Sequence, residues 1–323
     1  MTLPGTRQQA PDVLHPTERR SWVRGHNAEL AVYEYGPVPG PGVPEVLLVH
    51  GYPDDHTVFS RVIQLLAEDH HVIAYDTRDA GLSTVQESVH ANFRLPLLVD
   101  DLYAVLDATA GGPVQLVGHD WGSIQGWAAA RDPRAPSRLS RYLSISGPDL
   151  QHFRSWFAQR LRTPRGWFDV VQQCLRSSYV AAFQIPVLPE LFFSALGSRL
   201  YERTQGRPAG RNPQRGLTLY RANFAAPGRP AVQGSVEIPV HVIVPLRDPF
   251  LSPALNQGVE EFAPNVRFTA VDAGHWWPAT HPEDFAARIR EGSQAVAASG
   301  ASVSYRQTGA AVPGAGGTGA AGD

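Results

Sequence analysis

The stretch Pro113 to Trp127, PVQLVGHDWGSIQGW, limits what this chain can fold into more than any other. Val114, Leu116 and Val117 form a short apolar run that fits a buried parallel strand, and the residues after Gly122 can begin a helix. Between them, Gly118-His119-Asp120-Trp121-Gly122 sets glycines two residues either side of an aspartate. A sharp strand-to-helix turn needs small residues there, because its backbone passes close to neighbouring segments, and such a turn lifts the central side chain clear of the sheet. An ordinary loop would also accept an Asp at a helix N-terminus, where the dipole favours negative charge. The motif alone leaves both readings open, so the rest of the chain must decide.

At 323 residues with 43% apolar content the chain can bury a large core, as one large or two ordinary domains. Its net charge of −2 gives no reason to expect nucleic acid as a partner. All 28 basic residues are arginine, which we attribute to coding bias and not to a binding surface. The single cysteine, Cys174, excludes an intrachain disulfide and a cysteine-based metal site. No stretch approaches the roughly 18 apolar residues of a membrane span, and the first residues show no apolar leader, so a cytoplasmic location is the default expectation.

Residues 1–20 read as a loose arm. Ser21 to Tyr35 alternates like an edge hairpin turning at His26-Asn27. Strands follow at Val46–Val49, His71–Tyr75, the run ending at the turn above, and Arg141–Ser146, with helices at Val58–Leu66 and Leu95–Ala108 between them. From about 149 to 234 strand signals vanish and aromatic-rich helical pieces take over, at His152–Leu161, Trp167–Gln184 and Pro189–Leu200. Strands return at Glu237–Pro245 and Val266–Val271, with helices expected from Pro253 to Phe262 and from Pro282 to Ala298. The order predicts an α/β core, residues 21–148 and 235–298, with a mostly parallel sheet covered on both faces and a helical cap, 149–234, above the sheet's carboxyl edge. The Gly- and Ala-rich segment 299–323 reads as a flexible tail or linker.

Asp120 follows one strand, Asp248 a second and His275 a third, in the order nucleophile, acid, histidine, so that all three meet at one sheet edge. With His50-Gly51-Tyr52-Pro53 and Asp76-x-Arg78-x-x-Gly81-x-Ser83, these residues carry a resemblance to the α/β-hydrolase fold, and within it to the epoxide hydrolases, over roughly Ser21 to Ala298. Two segments of the helical region resemble those that carry the family's ring-opening tyrosines: Ser178 to Pro186, with Tyr179, and Arg215 to Arg221, with Tyr220. Packing of an apolar face is the alternative for these two. One departure stands out: Asp79 occupies a position where the family usually has glycine.

The resemblance implies that Asp120 attacks an epoxide carbon while Tyr179 and Tyr220 protonate the departing oxygen. His275, oriented by Asp248, then activates a water that hydrolyses the resulting ester. The backbone N–H groups of Tyr52 and Trp121 form the oxyanion hole. No metal or organic cofactor is implied, and the partners are water and a small apolar epoxide, the latter because Phe153, Trp156, Phe157, Trp167, Phe168, Phe192 and Phe193 lie in the cap. Among rival residues, Asp149 lies past a strand end near an alternative acid position. Ser123 sits one residue beyond the elbow, His119 and His50 read as structural, His70, His71 and His281 as surface or strand-end residues, and Trp276 and Trp277 as packing for the histidine loop. A haloalkane dehalogenase would share the nucleophile and would use Trp121 to hold halide, but commonly has Asn where Tyr52 stands. A ligand-binding domain without turnover is the other alternative. Some relatives carry a short-chain dehydrogenase after a comparable linker, and a homodimer is compatible with the sequence.

Overall fold

A computed structural model describes residues 18–224 and 234–298. Its sheet comprises β1 (Arg19–Gly25), β2 (Ala28–Tyr35), β3 (Glu45–Val49), β4 (His71–Tyr75), the two-residue β5 (Thr84–Val85), β6 (Val114–His119), β7 (Leu139–Ile145), β8 (Val240–Pro245) and β9 (Val266–Val271). The spatial order is β1-β2-β4-β3-β6-β7-β8-β9, with β5 on β2. Every pairing from β4 to β9 is parallel, and only the hairpin end is antiparallel.

Burial on both faces explains the composition of the central strands. Each residue of β4, β6 and β8 is buried, and these strands read as nearly unbroken apolar runs because parallel strands are covered by helices above and below. Successive side chains go to opposite faces. Leu47, Val49, Ile73 and Leu116 join Leu102 and Leu106 of α2 (Leu95–Thr109) and Trp127 of α3 (Trp121–Ala130). Val46, Leu48, Val117 and Leu143 join Val62 and Leu66 of α1 (Ser60–Leu66) and Phe285 and Ile289 of α13 (Pro282–Ala298). Two short helices, α4 (Ala135–Arg138) and α12 (Trp277–Thr280), complete the core.

Between β7 and β8 the chain leaves the sheet for α5 (Leu150–Arg160), α6 (Pro164–Arg176), α7 (Ser178–Ala182), α8 (Leu188–Phe192), a π turn (Phe193–Gly197), α9 (Ser198–Gln205), α10 (Asn212–Arg215) and α11 (Leu217–Phe224). The mostly parallel sheet with helices on both faces is the architecture expected.

Several local expectations differ from the structure. The strand β1 begins at Arg19, inside the segment read as an arm, because the antiparallel ladder to β2 extends to Arg19–Glu34. The single helix expected over Trp167–Gln184 is two, broken at Ser177. In place of a helix over Pro253–Phe262 there are two 3-10 turns, Pro253–Asn256 and Val259–Glu261, separated by Gly258 in the left-handed region. His70 and His71 are buried, not surface residues: His71 lies between Glu34 and Glu45 at 3.0 and 3.1 Å, and His70 between Asp69 and Ser293. Apart from Asp69, their polar neighbours come from remote segments, so a linear pattern could not show the burial. The expected tail, 299–323, lies outside the described residues.

Candidate active site

Parallel strands place their following loops at one edge of the sheet, and the loops after β3, β6, β8 and β9 meet here. The loop after β6 carries Asp120 at φ 53° and ψ −118°, a left-handed turn that lifts the carboxylate out of the sheet. Gly122 is required because a Cβ there would overlap the Val49 carbonyl of β3. The loop after β3 supplies the Tyr52 N–H, which donates to Asp120 Oδ1 at 2.7 Å. The Trp121 N–H donates to the same carboxylate. These are the two donors expected for an oxyanion hole.

The loop after β9 brings His275 and the loop after β8 brings Asp248. His275 Nδ1 lies 2.9 Å from Asp248 Oδ2, and His275 Nε2 lies 3.7 Å from Asp120 Oδ2. The second distance exceeds a hydrogen bond, so the Asp120 carboxylate does not tie up the imidazole. Phe250, Trp276 and His119 wall the His275 ring, with centroids 4.8 to 4.9 Å away. His119 Nε2 contacts the His275 carbonyl at 3.0 Å, the structural role expected of it. Burial forces the His119 ring toward neutrality, its pKa falling to about 3.

Charge explains the remaining shifts. Burial pushes Asp120 up to about 6 against the opposing pull of His275 and the two N–H donors. Burial also opposes protonation of His275, but the carboxylates of Asp248 and Asp120 outweigh it and hold its pKa above the usual value. Asp248 is buried as well, yet His275 and the Phe250 N–H keep it ionised, below the normal carboxylate range.

Over this edge lie Tyr179 from α7 and Tyr220 from α11, their rings 5.8 Å apart and edge to face. Burial, together with the Asp120 charge, raises both phenols well above 10, so they remain O–H donors. Tyr52, Trp121, Phe183 and Phe193 complete an aromatic wall. This corrects the expected lining. Trp167, Phe168 and Phe192 are exposed, and Trp156 packs with Val170 and Leu255 away from Asp120. Helical spacing shows which residues share a face, not which face turns inward.

Other candidates fall into structural places. Asp149 caps α5 and pairs with buried Arg131, 2.7 Å at one of the two contacts. Ser123 is turned into the helix, bonding Tyr142 and Ser144. His50 receives the Thr77 N–H and contacts the Gly51 carbonyl, shaping its loop. His281 is exposed. Asp79, the departure from the family pattern, stands at φ 60°, a region that Asp enters more readily than most residues, so the loop keeps the shape glycine would give it.

Asp54 went unnoticed in the sequence. Fully buried, it pairs with Arg207 at 2.8 Å, accepts Trp276 Nε1–H at 2.9 Å and binds the Tyr201 hydroxyl, tying the loop after β3 to α9 and to the neighbour of His275. Its only sequence signal is an acid next to the His50-Gly51-Tyr52-Pro53 run, and Asp55 beside it carries the same signal but caps a 3-10 turn.

A family model described as the alpha/beta hydrolase fold matches residues 44–282. The chain belongs to the alpha/beta hydrolase fold family. Among curated relatives, this chain is 32% identical over 282 residues to a Mycobacterium tuberculosis protein named "Probable oxidoreductase EphD", covering 81% of this chain and 47% of that one. It is 36% identical over 153 residues to Epoxide hydrolase A of the same species, 45% of each chain. The chain thus spans about half the length of the relatives first matched. Among solved structures, an epoxide hydrolase of Bacillus megaterium with a bound inhibitor superposes with a TM-score of 0.68 at 22% identity, over 85% of this chain and 100% of that one. Epoxide hydrolases from metagenomes of hot environments give 0.69 at 22%, over 86% and 99%. At that identity the likeness speaks for the fold alone.

Two substitutions test the loop geometry. A Cβ at Gly51 would overlap Asp120 Oδ1. Gly51→Ala is therefore expected to displace Asp120 and, because the Cβ would also meet the Asp120 Cβ and the His119 carbonyl, to cost about 1–3 kcal/mol in denaturant unfolding; unchanged stability would show that the loop yields. Arg78 is buried against Asp101, Nη2 to Oδ1 2.8 Å, and donates to the Asn92 carbonyl. Arg78→Met leaves Asp101 buried and unpaired, and denaturant unfolding should show a loss of about 3–5 kcal/mol.

Proposed function

We propose that the chain is an epoxide hydrolase that opens an apolar epoxide to a vicinal diol through an ester on Asp120. The observation that supports this reading best is the convergence of two neutral phenols, Tyr179 and Tyr220, over a carboxylate that accepts two backbone N–H groups, that of Tyr52 on Oδ1. With Oδ1 so held, Oδ2 is the free nucleophilic atom. It attacks an epoxide carbon, the C–O bond breaks, and the phenols hydrogen-bond the oxygen and deliver the proton. Their raised pKa suits the task, since a developing alkoxide is more basic still.

Ester formation removes the negative charge of Asp120 and with it one of the influences that keep His275 protonated. The imidazole then loses its proton more readily and can deprotonate a water. That water attacks the Asp120 carboxyl carbon, and the tetrahedral oxyanion grows on Oδ1, against the Tyr52 and Trp121 N–H groups. Collapse of this intermediate breaks the bond between the carboxyl carbon and Oδ2, the departing oxygen takes the imidazolium proton to complete the diol, and Asp248 steadies the imidazolium until then. The helical insertion serves as the cap that supplies the acid groups and excludes solvent.

The test is a panel of epoxides and matched chloroalkanes, with diol and halide measured in parallel. Diol formation supports the reading, whereas halide release with no diol would favour a dehalogenase. The Tyr52 hydroxyl donates to the Pro213 carbonyl at 2.9 Å, so its side chain offers nothing to a halide. A pH profile gives a second check. Burial raises Asp120, so its protonated, unreactive form accumulates below about pH 6; single-turnover alkylation should be present above that pH and fall away below it. Finally, we propose that a longer parent protein joins this domain to a short-chain dehydrogenase; the half-matched mycobacterial relatives carry the name of an oxidoreductase and nothing narrower. An unmodified reading frame that stops directly after Asp323 would remove it.

A further inference from the structure

From Leu188 to Gln205, α8, the π turn and α9 run without interruption, a rod of roughly 27 Å at the α-helical rise. Its inner side lines the site: Phe193 packs edge-on against Phe183 and Tyr52, and Tyr201 against Trp276. Its outer side is apolar as well. Leu188, Leu191, Phe192, Leu196 and Leu200 are between 48% and 60% exposed. Residues five apart diverge on a regular α-helix, but the π turn holds Leu191 and Leu196 on one side, and Leu200 follows one α-turn later. Single exposed apolar residues are ordinary; a run of five along one helix face marks a contact surface.

Charge indicates what the surface contacts. Arg199 and Arg203 flank the stripe, both exposed and with no ion pair to a described acid. Residues 149–224 contain eleven arginines and four acids, in a chain whose net charge is −2, so the insertion is strongly basic and the remainder acidic. The outer side of α6 repeats the combination, with Trp167, Phe168, Val171 and Leu175 between 57% and 71% exposed and Arg162 and Arg165 at its start. Two such faces brought together would oppose arginine to arginine, which disfavours a second copy of the chain as the occupant. An apolar surface bearing negative charge complements both features, as in helices that lie in a bilayer interface.

We propose that the outer face of Leu188–Gln205 docks on an anionic lipid bilayer, which sets the aromatic wall around Asp120 beside the acyl-chain boundary. Docking stands on the exposed stripe and its charge and does not need the epoxide reading; delivery of a lipid-dissolved substrate to Asp120 does. Among the described residues no helix is long and apolar enough to cross a membrane, so the contact is one of surface only.

Co-sedimentation with vesicles tests the docking. The chain should bind phosphatidylcholine vesicles containing phosphatidylglycerol about tenfold or more tightly than phosphatidylcholine alone, and high salt should weaken the binding. Leu191→Ser with Leu196→Ser, and separately Arg199→Glu with Arg203→Glu, should each weaken it by about tenfold or more, with turnover of a water-dissolved epoxide unchanged. The charge-reversal pair alters only exposed side chains, so it remains informative if the apolar pair unfolds. Equal binding to both vesicle types, or wild-type binding by the charge variant, overturns the proposal. So does a wild-type dimer, seen by analytical ultracentrifugation, that the leucine pair converts to monomer in a protein that binds no vesicles. Turnover without vesicle binding refutes the docking surface alone, and vesicle binding without any epoxide turnover refutes the reaction alone.

Discussion

His275→Gln protein mixed with an epoxide is expected to gain the mass of one substrate molecule on Asp120 and then stop. In the mechanism proposed above, the first step uses Asp120 Oδ2 and the two phenols, none of which the substitution removes. Asp120 needs no base, because with its pKa near 6 it is mostly ionised at neutral pH. The second step needs a group that can take a proton from water, and glutamine cannot. Hydrolysis should slow by about a thousandfold or more while alkylation stays within about an order of magnitude of wild type, the general-base share of the rate being roughly a hundred- to ten-thousandfold. Intact-protein mass spectrometry, followed by peptide mapping to Asp120, reads the outcome. Steady multiple turnover by the variant, or a mass gain on another residue, would end the two-step account. Loss of Asp248 should give a milder form of the same defect, since His275 would lose its partner at 2.9 Å and the charge that steadies its protonated form.

The second large effect concerns the leaving oxygen. Replacing either Tyr179 or Tyr220 by Phe keeps the ring, and so most of the aromatic packing. Each single variant should alkylate more slowly, by about tenfold to a hundredfold, because the remaining phenol still reaches the oxygen. The double variant should lose about a thousandfold or more, as no general acid is left over the carboxylate. Stopped-flow single-turnover kinetics separate this from hydrolysis, which neither phenol serves. A double variant that alkylates at near the wild-type rate would show that the tyrosines only pack the insertion against the core.

Much of this was legible in the linear chain because the controlling forces are local. Gly122 could be read from spacing, since a turn that passes under the Val49 carbonyl excludes a side chain whatever lies further off. The parallel strands could be read from their apolar runs, and their parallelism brings the ends of β3, β6, β8 and β9 to one edge. Asp79 is instructive in the opposite sense: its chemical identity suggested a different loop, whereas its φ of 60° shows the same backbone. The break at Ser177 and the 3-10 turns after Asp248 escaped because helical periodicity is blurred over a few residues.

What the sequence by itself determined is the inventory and its order: a carboxylate on a strained turn, an acid and a histidine after later strands, and two tyrosines in an inserted helical region. Only the tertiary structure decided which aromatics face Asp120 and which face solvent, that Asp54 links the insertion to the loop beside His275, and how far burial moves the Asp120 and His275 protons. The reason is range. Turn geometry and strand burial leave their mark in local spacing, while the inward face of a helix and the charge state of a buried group depend on atoms supplied by other segments, from 27 residues away for Asp248 on His275 to 68 for Tyr52 on Asp120.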